Sequence, residues 1–318
     1  MSPFFTDKPF RGRHMLGLDD PEIFRSILEN LHTGIYLVDK NRKIVFWNEG
    51  AEKITGYLRQ DVVGRFHREQ LLQADREGKN LNDELADPVN AAFRDGKVTS
   101  TDVLILHREG YRVPVVLRTV PIRNEHGVVI GVAESLEENQ SVSAWAKRQA
   151  KLEDYGCLDE MTGALSHSFI ESLLQESLIT FAHHNVPFGI LLFQVDQIDS
   201  YRAKFGPGVV RAILRVVATT IENSLGPSDL VGYWSENRFV ALLQECGESE
   251  VAQVAERLQK MVSDSKLEWW GEKFSITGAF GGAGSRPEDT LEILLERAEK
   301  SLMESVPGRR NCASLLVS

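Results

Sequence analysis

The apolar positions change their period along the chain, and each change marks an element. Ile23, Phe24, Ile27, Leu28 and Leu31 recur at helical spacing behind Asp19-Asp20-Pro21, which supplies a cap and a first-turn proline. Residues 34–39 and 44–48 then read as two strands around the turn Asn41-Arg42-Lys43, and 48–57 as a helical segment. Residues 98–107, 112–121 and 128–136 read as three antiparallel strands, joined by turns at Glu109-Gly110 and His126-Gly127. From Cys157 onward helix and strand alternate. Helices are predicted over 166–184, 209–224, 249–263 and 290–304, and strands over 188–195, 274–280 and 313–317. A hairpin is predicted over 230–243, turning at Ser235-Glu236-Asn237-Arg238. This second half is an α/β pattern, with helices packed on a mixed sheet. No internal repeat or low-complexity tract interrupts it.

The length of 318 residues suits two domains. The boundaries predicted are a loose arm over 1–18, a first domain over 19–138, a helical linker over 139–156 and a second domain over 157–318. A hydrophobic share of 42% with 26% charged residues places the chain among globular proteins. A formal net charge of −10 argues against nonspecific binding to nucleic acid or to an anionic membrane. The first residues contain no apolar signal segment, and no apolar run approaches the roughly 20 residues needed to span a bilayer. Cys157, Cys246 and Cys312 are far apart and odd in number, which points away from a disulfide framework and toward a cytoplasmic setting.

Thr33-Gly34-Ile35-Tyr36-Leu37-Val38-Asp39, then Trp47-Asn48, Ala51-Glu52 and Ile54-Thr55-Gly56-Tyr57, resemble the opening of a PAS domain. The resemblance covers about residues 20–138. It implies a five-stranded antiparallel sheet and a sensory or dimerising role, with the ligand unknown. No cysteine lies within residues 1–156, which excludes a flavin–thiol adduct there. His67 and His107 are the histidines that could ligate haem iron, and both read instead as surface residues, His107 on a hairpin rim. Trp47, Phe46 and Phe93 read as core aromatics. In the linker, Val142, Trp145, Gln149 and Leu152 fall at 3–4–3 spacing. That fits either a short coiled-coil seam joining two copies or a solvated connector helix.

Asp159-Glu160-Met161-Thr162-Gly163, Val195-Asp196, Phe205-Gly206, Arg297-Ala298-Glu299 and Arg310-Asn311, in this order around the 230–243 hairpin, resemble a GGDEF domain, the diguanylate cyclase family. The resemblance implies joining of two GTP molecules into cyclic di-GMP. Such phosphoryl transfer needs Mg²⁺ held by carboxylates, cations on the phosphates and glycines that let the backbone approach.

The positions that the resemblance assigns to this chemistry depart from it. The signature falls on Ser235, Glu236, Asn237, Arg238 and Phe239, with only Phe239 kept. The first metal-binding Asp falls on Gln194, leaving Asp196. Two neutralised acids and one acid replaced by arginine move the local charge by about +4, and a guanidinium cannot ligate a metal. Asp196 itself reads more simply as a strand-end carboxylate capping the turn at Gln197. The two guanine-reading positions fall on Arg202 and Arg211, which donate hydrogen bonds but cannot accept them. The phosphate-binding lysines fall on Asp199 and Val306, so Arg310 alone remains. The inhibitory R-x-x-D site falls on Gly226-Pro227-Ser228-Asp229, without its arginine, and Asp229 reads as a turn residue.

Other constellations read as structural. His183-His184 suits a helix C-terminus, Trp269-Trp270 is a packed turn or an exposed contact patch, and Gly281-Gly282 reads as a loop. The function expected is a cytoplasmic signalling protein, a PAS sensor coupled to a catalytically degenerate cyclase domain. It would act through protein contacts in cyclic di-GMP signalling, with a homodimer formed through the PAS domain and linker. The alternatives are a weak cyclase using GTP and Mg²⁺, or a non-catalytic nucleotide-binding receiver.

Overall fold

The computed structural model describes residues 21–138, 152–153, 155–305 and 313–315. The arm, most of the linker, Val306 and Arg310 lie outside the described residues.

The first unit opens with α1 (Pro21–Glu29), β1 (Gly34–Asp39), β2 (Ile44–Trp47) and α2 (Glu49–Thr55). Asn48 caps α2 by accepting from the Ala51 N–H, and Gly56 ends it in the left-handed region at φ 73°. The short helices α3 (Arg59–Val62) and α4 (His67–Gln70), β3 (Gln73–Ala74) and α5 (Pro88–Asp95) follow. The long strands β4 (Thr99–Leu106), β5 (Arg112–Arg123) and β6 (Val129–Glu138) close the unit. All neighbours pair antiparallel in the order β2-β1-β6-β5-β4-β3. The five strands expected of a PAS sheet are present, and the two-residue β3 extends one edge. Tyr36, Trp47, Leu117 and Leu136 lie in the core between sheet and helices.

The second unit contains α6 (His167–His184), β7 (Phe188–Val195), α7 (Ile198–Phe205), α8 (Pro207–Ser224), β8 (Leu230–Ser235), β9 (Arg238–Gln244) and α9 (Glu248–Ser263). The hairpin β10 (Lys266–Trp269) and β11 (Glu272–Ser275), then β12 (Gly278–Gly284), α10 (Leu291–Ser305) and β13 (Ala313–Leu315), complete it. The central sheet runs β13-β12-β7-β9-β8 and is mixed, with β12 parallel to β13 and the other pairs antiparallel. Its unbroken apolar runs have a plain cause: both faces are covered. On β7, Leu191, Phe193 and Val195 face α8 and α9, while Phe188, Ile190 and Leu192 face α6 and α10.

Gly281 and Gly282 correct the sequence reading, because they sit in the middle of the buried strand β12 and not in a loop. A Cβ on Gly281 would lie 2.0 Å from the backbone nitrogen of Leu302 on α10. Helix and strand touch backbone to backbone, and only glycine leaves room.

The two units pack on each other. Arg112 of β5 is buried, its guanidinium 3.3 Å from Asp264, and its carbonyl accepts from Asn223 Nδ2 at 2.7 Å. Met261 of α9 packs with Ala74 and Leu104 of the first unit.

Candidate functional site

The β8–β9 hairpin turns at Glu236-Asn237, beside the end of β7. Glu236 adopts φ 33°, a conformation that favours glycine, and its carbonyl accepts from the Tyr233 hydroxyl at 3.1 Å. Asn237 staples the turn to β7: its side-chain amide donates to the Val195 carbonyl at 2.8 Å, and its own carbonyl accepts from the Val195 N–H at 2.9 Å. Gln194 and Arg238 face each other across β7 and β9. Arg238 Nε donates to Gln194 Oε1 at 3.0 Å, and its other end reaches Glu299 Oε1 of α10 at 3.4 Å. Where the family resemblance places acids, an arginine therefore bridges an amide and a helix carboxylate.

Asp196 accepts from the Thr277 hydroxyl at 2.9 Å, and its N–H donates to the Thr277 carbonyl at 2.9 Å. It ties β7 to the loop before β12, and this replaces the cap expected on the Gln197 turn. Gln197 takes φ 58° and opens α7 without a side-chain cap. Asp199 is exposed and pairs with Arg202 at 3.2 Å, one turn along the same helix.

Gln194, Asp196, Asp199, Arg202, Glu236 and Asn237 line one cavity of about 250 Å³. Small-molecule sites usually offer about 300–1,000 Å³, so the space is short even for one nucleotide. Three carboxylates border it, yet among the described residues no group of three or more His, Cys, Asp or Glu converges closely enough to hold a metal. The donor set does not fit Mg²⁺, which prefers anionic oxygens in near-octahedral array. Here one carboxylate is engaged by a hydroxyl, one by an arginine, and the amide oxygen by Arg238.

Arg211 and Asp229 do not line this cavity. Arg211 is on α8 and lines a second cavity, at the junction with the first unit. Asp229 organises its turn, accepting from the Gly226 N–H at 2.9 Å and the Gln244 N–H at 3.0 Å. Trp269 packs against the core while Trp270 stands exposed at the β10–β11 tip. His183 and His184 sit at the end of α6, as expected.

The first unit holds polar groups that sequence reasoning missed. His67, expected at the surface, is 2% exposed, with Nε2 3.0 Å from Asp87 Oδ2. Asp87 caps α5 through the Val89 N–H and also accepts from Arg68 Nε at 2.9 Å. Burial pushes the Asp87 carboxyl up, but the bonds from His67 and Arg68 outweigh it and the net shift is down. His107 is also buried, stacked on Tyr111 with ring centroids 4.4 Å apart, and burial lowers its basicity. Deeper still, the Tyr36 hydroxyl bonds Glu134, whose other oxygen accepts from Thr119 at 2.7 Å. Gln73 Nε2 donates to the Tyr36 oxygen at 3.4 Å. Desolvation dominates at Glu134 and raises its pKa. One signal was available: Glu134 stands in step with Val132 and Leu136, the inward positions of an alternating strand.

A family model described as "Diguanylate cyclase, GGDEF domain" matches residues 157–312, and one for the PAS fold matches residues 22–135. The chain carries a PAS domain followed by a GGDEF domain. Among curated relatives, Diguanylate cyclase A of Treponema denticola is 24% identical over 184 residues, 57% of this chain and 50% of that protein. The probable diguanylate cyclase DgcE of Escherichia coli is 22% identical over 254 residues, 80% of this chain and 22% of that protein. The chain thus spans half or less of the length of these two relatives. Among solved structures, the GGDEF domain of DgcB from Caulobacter crescentus in complex with c-di-GMP aligns at 20% identity with a TM-score of 0.49. That alignment covers 51% of this chain and 94% of that one. Among the described residues, no helix is long and apolar enough to cross a membrane.

Proposed function

We propose that this protein is a PAS-controlled signalling component whose GGDEF domain no longer makes cyclic di-GMP and acts through protein contacts. The single observation that carries this reading is the Gln194–Arg238–Glu299 chain, a guanidinium bonded across two positions to which the family resemblance assigns acids. The small cavity, the engagement of Asp196 by Thr277 and the side chain of Glu236 support it. A cation fixed there opposes Mg²⁺ by like charge and removes the acceptors a metal needs. The frame around the cavity is intact, so the domain keeps a surface for a partner protein or for a second copy.

A cellular experiment tests the non-catalytic role. A cyclic di-GMP reporter should respond equally to the native chain and to Asp196→Ala, and should lose the response when residues 157–318 are deleted. Loss of the response with Asp196→Ala alone would contradict the reading. A second reading, a weak cyclase, draws on the carboxylates Asp196, Asp199 and Glu236 bordering the cavity and on the cyclase relatives. It requires product from GTP.

A further inference from the structure

We propose that the cleft between the PAS and GGDEF domains is a binding site for a nucleotide, a ligand that joins a planar ring to phosphate. The cleft has a volume of about 1,030 Å³, ample for such a molecule. It lies apart from the vestigial cyclase cavity and shares no lining residue with it.

Its walls divide into two chemistries. Arg211 and Arg215 lie one turn apart on the exposed face of α8, and neither has an ion-pair partner among the described residues. Arg108 enters from the PAS side, where its one ion pair among the described residues is an exposed one with Asp61 at 3.5 Å. Against these three guanidinium groups stand two carboxylates, Glu109 and Glu268, so the cleft has a cationic excess on a chain of net charge −10. Guanidinium forks match phosphate oxygens bidentately.

Aromatic rings line the other wall. The Trp269 ring lies against Gly208 at the start of α8, 3.3 Å from where a Cβ would be. Its indole Nε1 is buried, without a hydrogen-bond partner among the described residues. Trp270, 81% exposed at the hairpin tip, offers a free ring face, and the His107–Tyr111 stack borders the PAS side. Ring faces stack on nucleobases of any sequence. Because both domains supply groups, an occupied cleft would clamp them together.

Calorimetric titration of the full chain with GTP, ATP and cyclic di-GMP tests this. At least one of them should bind, and Arg108→Ala with Arg215→Ala should weaken it by about tenfold or more. Both arginines are exposed, so the variant should fold. Trp270→Ala should weaken the nucleotide while leaving inorganic tripolyphosphate unaffected. Arg202→Ala, in the other cavity, should change nothing. Absence of binding up to about 1 mM, or an equal loss with Arg202→Ala, would overturn the inference. Formation of product from GTP would instead contradict the proposed function and leave this site standing.

Discussion

Replacing Gly281 by alanine tests how the sheet and α10 hold the candidate site. The backbone of Gly281 is not in the left-handed region, so the residue is there for space and not for conformation. The added Cβ would meet Leu302 at 2.0 Å from its nitrogen, 2.3 Å from its Cα and 2.6 Å from its Cβ. Ordinary contact begins near 3.4 Å, so α10 must retreat by about 1.4 Å. The two nearest are backbone atoms and the third is the Cβ fixed to them, so none can rotate away. Overpacking of this kind costs about 1–3 kcal/mol, and the double backbone clash puts it at about 3. For a domain of this size each kcal/mol lowers Tm by about 2–4 °C, so the expected fall is about 6–12 °C. Glu299 lies one turn before Leu302 on α10, so the Arg238–Glu299 contact should loosen as well. Thermal unfolding followed by circular dichroism measures the first effect, and hydrogen exchange at residues 291–305 the second. A fall in Tm of less than about 2 °C would refute the close-packing argument.

Other substitutions probe charge and protonation. Gln194→Asp with Arg238→Glu sets two carboxylates opposite each other beside Glu299, so the variant should lose about 1 kcal/mol or less without metal and regain stability with Mg²⁺. The native chain should show no Mg²⁺-dependent rise in Tm, and a rise equal to the variant's would count against the displaced-metal reading. Glu134 has a folded pKa raised above that of an unfolded carboxyl, about 4.3, so its stabilising contribution is full below that pH and is lost as pH rises through the folded pKa. Glu134→Gln should flatten that part of the stability profile, and an unchanged slope would show that another group controls it. Asp87→Asn leaves His67 and Arg68 facing a neutral group in a buried setting and should cost about 3 kcal/mol or more by denaturant titration.

Much of the second domain was legible because its periodicities are simple. The strand at 188–195 and the helix ending at Ser224 are where the apolar runs place them, and the hairpin turn falls on its polar residues. β12 was misread because two adjacent glycines look like a loop, and only the nearness of Leu302 explains them. The substitutions at Gln194 and Arg238 were visible one by one. Their direct hydrogen bond was not, since it depends on the register of β7 against β9. His67 was misplaced because its burial comes from Asp87, twenty residues away in sequence. The cleft between the domains was invisible, because Arg108, His107 and Tyr111 meet the arginines of α8 and the two tryptophans only when the PAS sheet docks on α8 and α9.

The central claim is that the cyclase cavity of the GGDEF domain cannot hold the metal and GTP that the reaction needs. It is tested most directly by incubating the purified full chain at high concentration with GTP and Mg²⁺ and quantifying cyclic di-GMP by mass spectrometry. The account predicts no product above the level of a GTP blank. Accumulation of cyclic di-GMP beyond the molar amount of protein, abolished by Asp196→Ala, would contradict it.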